Sequence, residues 1–226
     1  MLYNSKNLYG HKLAASDGEI GQVKDFYFDD QSWLVRYVVA DTGTWLSGRQ
    51  VLLSPQAFGR IDAEAEILHV KLTRKRIEDS PSIEAHRPVS RQHEEEYYRY
   101  YGWPSYWEAG GTMVGVGGLP LVGEARQHHG HNQRDDVHLR STRAVTGYHL
   151  EASDGAIGTV SGFMVDIRSW VIRDLVVETG HWYAGKEILV APSRIDRISY
   201  DHSKVFVSLT LADIRRTPEN QIATSA

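Results

Sequence analysis

Asp41-Thr42-Gly43 follows the apolar run Val38-Val39-Ala40, the order in which an aspartic hydrolase presents a catalytic carboxylate. That chemistry needs two carboxylates sharing one proton, and a chain that repeats itself could supply the second. The matching position of the second half instead reads Glu178-Thr179-Gly180. Glutamate holds its carboxyl one methylene further from the backbone, which spoils a symmetric dyad. Asp-Thr-Gly is also an ordinary tight turn between strands, with glycine supplying positive φ. The turn is the expectation, an Asp41 hydrolase the alternative, and no catalytic residue is assigned.

Four further groups of residues could bind something. His128-His129-Gly130-His131, with His138 nearby, offers imidazoles suited to zinc, copper or nickel. The tract is glycine-flanked and polar, so it reads as an exposed linker, and no metal or cofactor is assigned. Arg36 and Arg173 recur inside apolar strands, with Asp29 and Asp166 at the preceding hairpin ends. A buried charge needs a partner, so internal ion pairs are expected, with an anion or partner site as the other reading. Tryptophans recur in pairs, Trp33 with Trp170 and Trp45 with Trp182. Tryptophan serves equally as a core filler and as an interface anchor. Tyr97, Tyr98, Tyr100, Tyr101, Trp103, Tyr106 and Trp107 form the densest aromatic cluster, which is expected to dock on a folded domain.

What positions these residues is a duplication. Gly10 to Pro81 aligns with Gly147 to Pro218 at a constant offset of 137, without a gap. Leu13-Ala14-Ala15-Ser16-Asp17-Gly18-Glu19-Ile20-Gly21 returns as Leu150-Glu151-Ala152-Ser153-Asp154-Gly155-Ala156-Ile157-Gly158. Asp-Gly between apolar runs predicts a hairpin with a type I′ turn. Val23 and Phe26 are three apart, as are Val160 and Phe163, so a bulge is expected between them. Trp33 to Ala40 is apolar on both faces and needs cover on both. Leu68, Val70 and Leu72 alternate with His69 and Lys71 as a half-buried strand does. Thr73 and Thr210 should each cap a short helical turn. Between the repeats, Ser90 to Tyr101 predicts a helix with Ser90 as N-cap, stopped by Gly102-Trp103-Pro104. Gly110 to Arg140 has the composition of a flexible linker.

The expected architecture is therefore all-β: two tandem small barrels, residues 1–82 and 141–226, joined by a partly helical, Gly/His-rich linker over 83–140. Units this small bury a marginal core. We expect them to pack on each other about a pseudo-twofold axis, through Leu34, Val38, Val171 and Leu175 or their strand neighbours. The formal net charge of −4 argues against non-specific nucleic-acid binding. With no cysteine there is no disulfide or thiolate chemistry. No window resembles a signal peptide or a transmembrane helix, so a cytoplasmic location is expected.

The Ser-Asp-Gly-x-Ile-Gly-x-Val hairpin, followed by Asp41-Thr42-Gly43-Thr44-Trp45-Leu46-Ser47-Gly48-Arg49-Gln50-Val51-Leu52-Leu53-Ser54-Pro55, resembles the bacterial PRC-barrel proteins. The extension Glu96-Tyr97-Tyr98-Arg99-Tyr100-Tyr101-Gly102-Trp103-Pro104 resembles the tail they carry. The resemblance implies a small β-barrel related to the cytoplasmic domain of the photosynthetic reaction centre H subunit. It implies protein–protein contact, an unidentified protein partner and no catalytic set. A related barrel in a ribosome maturation factor makes an RNA- or ribosome-associated role a further alternative. The interface candidates are Trp33, Leu34, Val38, Trp45, Trp170, Val171, Leu175 and Trp182.

Overall fold

The computed structural model of the protein describes residues 1–80, 91–103, 138–180 and 185–216. Two seven-stranded sheets carry the fold. The first repeat supplies β2 (Lys12–Ala15), β3 (Gly18–Asp29), β4 (Val35–Asp41), β5 (Gln50–Leu53), β6 (Phe58–Asp62) and β7 (Ile67–Val70). They lie in the order β5-β4-β3-β2-β7-β6, with β2 parallel to β7. The second repeat supplies β9 (His149–Ala152), β10 (Gly155–Asp166), β11 (Val171–Thr179), β12 (Glu187–Val190), β13 (Ile195–Ser199) and β14 (Lys204–Val207) in the matching order. The helices α2 (Arg74–Glu78) and α5 (Leu211–Arg216) close the two repeats. The protein is thus mostly β and made of two barrel-like units.

The seventh strand of each sheet comes from the other repeat. β1 (Leu2–Asn4) runs into the helical turn α1 (Ser5–Leu8), and β8 (Leu139–Ser141) into α4 (Thr142–Val145). β1 pairs with β10, Leu2 opposite Asp166. β8 pairs with β3, Leu139 opposite Asp29. The two arms are exchanged. β8 therefore takes Leu139 and Arg140 out of the stretch expected to be linker, and the repeat begins at Leu2 and Leu139 rather than at the two glycines.

The local chemistry explains the sheet shapes. Register shifts fall between Val23 and Asp25 and between Val160 and Gly162, the bulges that the three-residue spacing called for. Glycine is required at Gly21 and Gly158. A Cβ there would lie 2.0 Å from the carbonyl oxygen of Asp41 or Glu178, where the neighbouring strand crosses. The type I′ expectation at Asp17-Gly18 is corrected. Only Gly18 has positive φ, whereas a type I′ turn needs it at both central residues. Other bonds set this turn: the Arg74 N–H donates to Asp17 Oδ1 at 2.7 Å, and the Ser16 N–H to the Leu72 carbonyl at 3.0 Å. Asp154 accepts from the Leu211 N–H in the same way, at 2.9 Å. Thr73 accepts from the Arg76 N–H at 3.3 Å, the expected cap.

Between the repeats α3 (Arg91–Tyr101) ends on Gly102, whose φ of +70° suits a residue just past a helix. Ser90, the expected cap, lies outside the described residues, as do Tyr106, Trp107, Trp182 and the tract from His128 to His131. Among the described residues no helix is long and apolar enough to cross a membrane.

Candidate functional site at the seam between the repeats

Trp33 and Trp170 start the seam. Both have φ near +57° (58° and 56°), a left-handed conformation that is strained for a bulky side chain. Each backbone N–H closes the preceding turn, Trp33 onto the Asp29 carbonyl and Trp170 onto the Asp166 carbonyl. The twist aims each tryptophan carbonyl at the other repeat. The Val35 N–H donates to the Trp170 carbonyl and the Ile172 N–H to the Trp33 carbonyl, both at 2.8 Å. Between them Leu34 and Val171 form an antiparallel bridge. These residues correspond under the repeat offset, so each bond has its mirror.

The side chains continue the exchange. Trp170 packs against Phe26 and Phe58 of the first repeat, with ring centroids 6.4 Å and 5.2 Å apart. Phe28 meets Phe163 at 5.5 Å and stacks on Trp33 at 5.5 Å. Val38 pairs with Phe26 and Leu175 with Phe163, all four buried. One continuous hydrophobic core runs through both repeats. Trp45 stands apart from the seam. It is partly buried beyond the end of β4, with the Arg74 guanidinium 4.7 Å above its ring.

Each exchanged arm plugs into the bulge of the opposite sheet. The Phe26 N–H reaches Thr142 Oγ1 at 3.3 Å and the Phe163 N–H reaches Ser5 Oγ at 3.1 Å. Leu8 and Val145 are fully buried. Here the repeats differ. In the first, Asp25 accepts from Ser141 Oγ (2.5 Å), Thr142 Oγ1 (2.9 Å) and the N–H groups of Phe26 (2.7 Å) and Arg143 (3.1 Å). Burial pushes the Asp25 carboxyl above its usual range, and these donors hold it back only in part. In the second, Gly162 stands at this place, and a Cβ would come 2.7 Å from Asn4 Oδ1. Asn4 instead caps its own turn, accepting from the Lys6 N–H at 3.0 Å.

The recurring Asp–Arg pairs are present as ion pairs. Arg36 lies 3.4 Å from Asp29 with its side chain 2% exposed, and Arg173 lies 3.6 Å from Asp166 at 53%. The Arg168 backbone N–H, then the Met1 ammonium, hold the Asp166 carboxyl down at about 2. Asp41 accepts from the Gly43 N–H at 3.0 Å, the bond of a tight turn, and no bond links it to Glu178. Thr42 and Thr179 bridge the same turn, donating to the carbonyls of Arg49 and Lys186. His138 is held by Asp30 at 2.9 Å, and no group of three or more metal-ligating side chains forms among the described residues.

α3 packs on the outer face of β4 and β5. Tyr97 is buried, donates its hydroxyl to the Leu52 carbonyl, and meets Tyr37 edge-on at 5.8 Å. Trp103 stacks on Tyr101 at 4.4 Å. Arg76 donates to the Tyr101 carbonyl at 3.1 Å, and Tyr100 to the Arg76 carbonyl at 3.0 Å. At the same place in the second repeat, Asp174 replaces Tyr37 and Leu189 replaces Leu52. Both are half-buried where their counterparts are fully buried.

A duplicated small β-barrel with exchanged arms is the class that this geometry defines. Residues 2–77 match the PRC-barrel domain, so the protein contains one. The matched span includes β1 and α1, the arm that pairs with the opposite sheet. A stretch of 93 residues, 39% of this chain, is 28% identical to an uncharacterized protein of Deinococcus radiodurans. The match spans 33% of that relative's length.

The arms were missed in the sequence because they share residue classes rather than identities. Asn4 and Ser141 cap, Ser5 and Thr142 offer a hydroxyl, and Leu8 and Val145 are apolar, all at the offset of 137. A comparison by class would have carried the repeat back to Leu2.

Proposed function

We propose that the chain is a tandem PRC-barrel protein that works as a non-catalytic scaffold in the cytoplasm. Residues 1–82 and 139–226 form an internal dimer about a pseudo-twofold axis, each completed by the arm of the other. Residues 83–138 join them. Trp33, Leu34, Trp170 and Val171 then serve the internal seam, and the partner is met elsewhere.

The observation that carries this reading is the docking of α3. In the first repeat the outer face of β4 and β5 already holds an amphipathic helix, through buried tyrosines and a hydroxyl-to-carbonyl bond. The second repeat presents the same face with Leu189 half-buried and a carboxylate, Asp174, in place of a ring. We assign that face to a helix of a partner protein carrying an aromatic anchor for Leu189 and a basic or hydroxyl group for Asp174. Aromatic anchors in small pockets dominate such contacts, and helix-in-groove docking is a common mode.

The test is site-specific photo-crosslinking from position 189 in the native host, with the crosslinked peptides sequenced. The expected result is a peptide of another protein with aromatic residues at helical spacing, and its loss when Asp174→Lys is added. Crosslinks confined to this chain's own residues, or to peptides without that pattern, would overturn the reading.

A further inference from the structure

One side of the seam opens into a cleft of about 630 Å³. That is within the range of small-molecule sites, about 300–1,000 Å³. Its apolar lining includes Leu34, Phe58, Ile61 and Trp170. Its charged lining is all cationic. Arg36, Arg60, Lys71 and Arg168 all border it, and no aspartate or glutamate does. Asp29, outside the lining, neutralises Arg36. Arg60, Lys71 and Arg168 make no ion pair among the described residues. In a protein of net charge −4, three uncompensated cations around one concave surface are not an average of the composition. A cleft lined by one sign of charge with low-dielectric walls concentrates counter-ions.

The other repeat supplies the control. At the offset of 137, Lys71 corresponds to Ser208, Arg168 to Gln31 and Gly59 to Asp196. Arg60 corresponds to Arg197, whose guanidinium lies 4.3 Å over the Phe206 ring. The far side of the seam has thus lost two cations and gained two carboxylates, Asp196 and, in place of Ile167, Asp30, which pairs with Arg140 at 2.6 Å, while the backbone around it keeps the same pairing. Lys71 runs past Gly59, where a Cβ would stand 3.8 Å from Lys Cε. An aspartate there, as at Asp196, would neutralise it. Barrel packing alone gives no reason for this one-sidedness.

We propose that this cleft binds a small organic phosphate. The charged head sits among Arg60, Lys71 and Arg168, and the apolar body lies against Phe58 and Trp170. A phosphate rather than a single carboxylate fits the charge. A phosphate monoester carries roughly −1.5 to −2 at neutral pH and three acceptor oxygens, whereas one carboxylate would leave two of the three cations uncompensated. The site is independent of the helix-docking face proposed above, which lies on the outer side of β11 and β12.

Calorimetric titration of the full-length protein with ADP, inorganic pyrophosphate and adenosine tests the proposal. ADP should bind, and pyrophosphate and adenosine, each carrying half of the recognised features, should bind at least about ten-fold more weakly. Lys71→Ser and Arg168→Gln install the residues that the other repeat already carries. Each should weaken ADP about ten-fold, the weight of one charge-assisted hydrogen bond. Arg197→Ser on the far side should leave it unchanged. If either variant folds poorly by circular dichroism, amide shifts on adding ADP to the unaltered protein replace it, with the largest expected at Arg60, Lys71 and Arg168. No binding of ADP at millimolar concentration overturns the proposal. So does pyrophosphate binding as tightly as ADP, or binding indifferent to both substitutions, or shifts centred elsewhere.

Discussion

Asp25 and Gly162 occupy the same place in the two repeats, and each faces the arm of the other half. In one bulge a carboxylate gathers four donors from the arm and from its own strand. In the other, Gly162 has no side chain and Asn4 of the arm occupies the room. Around this difference the backbone bonds are repeated: strand register, the Phe–hydroxyl bond, the tryptophan carbonyl exchange. The comparison separates two kinds of residue. Gly21 with Gly158 lets each sheet's own strands cross, while Trp33 with Trp170 and the hydroxyls of Ser5 and Thr142 tie the two halves together, and each role is kept in both. Asp25, Tyr37, Lys71 and Arg168 have unlike counterparts, and there the two halves present different chemistry. The helix-covered face and the cationic cleft both draw on the second group.

The sharpest way to break this comparison is to cut the arms. Leu8 and Val145 are the buried ends of the two arms, fully enclosed in a shared core. Leu8→Ala should cost about 2–5 kcal/mol, as for other buried large-to-small changes, and Val145→Ala somewhat less because fewer atoms are lost. Because one core runs through both repeats, either substitution should lower a single unfolding transition seen by urea denaturation. Two separated transitions, with only one moved, would show that the repeats fold independently and that the arms are decoration. A fragment of residues 1–82 keeps its arm but loses the sheet that receives it. It should form a homodimer that trades arms, detectable by sedimentation; a well-folded monomer at high concentration would contradict the exchange.

Much of the barrel was legible because its signals are strictly local. The spacing of Val23 and Phe26 requires a bulge, Thr73 a cap, and the Asp-Gly pair a reversal. The offset of 137 was readable from identities alone. Three things were not. The type of turn at Asp17 depends on a bond to Arg74, far away in sequence. The exchange of arms is a choice between two equivalent partners, since β1 carries the same pattern whichever sheet it joins. The cleft is assembled from Arg60 and Lys71 of one repeat and Arg168 of the other, which no window of sequence brings together. The recurring Asp–Arg pairs were visible as pairs, but their unequal burial was not, because the two halves cover them differently.

A smaller effect sharpens the contrast between Asp25 and Gly162. Asp25→Asn keeps the size of the side chain and removes its charge. At neutral pH the loss of charge-assisted bonds to Ser141 and Thr142 competes with relief of a buried charge, so the net change should stay within about 1–3 kcal/mol. The pH dependence is more telling. Burial raises the folded-state pKa of Asp25 above the ordinary carboxyl value. The folded protein therefore takes up this proton before the unfolded chain does. The contribution is fully present below the unfolded pKa and is lost as pH rises through the folded one. Stability of the unaltered protein minus that of Asp25→Asn should accordingly increase as pH falls from neutral into the carboxyl range. A difference that is flat, or that shrinks on acidification, would mean that the donors outweigh burial. Gly162→Asn, the reciprocal change, should show no such pH dependence.

The smallest effect concerns α3 and belongs to one repeat only. Tyr97→Phe deletes a single hydroxyl whose bond to the Leu52 carbonyl ties the helix to β5. Its ring contacts with Tyr37, Tyr98, Tyr101 and Trp103 remain. A buried bond of this kind is worth about 0.5–1.5 kcal/mol net, plus part of the desolvation of a carbonyl left without its donor. The loss should be read at neutral pH by urea denaturation and should be close to 1 kcal/mol. Alkali gives the second readout. Burial, first, and the neighbouring tyrosines raise the Tyr97 pKa well above 10.0. The unfolded chain thus releases this proton at lower pH than the folded protein does, and the stability it lends is lost as pH climbs beyond the unfolded value. Between neutral pH and about 11, flanking the ordinary tyrosine pKa of about 10, the advantage of the unaltered protein over Tyr97→Phe should fall. Amide exchange should quicken in β4 and β5 and stay unchanged in β11 and β12, which carry no such helix among the described residues. Equal quickening in both sheets would show that α3 supports the whole molecule rather than covering one face of it, and would remove the basis for reading the second face as open to a partner.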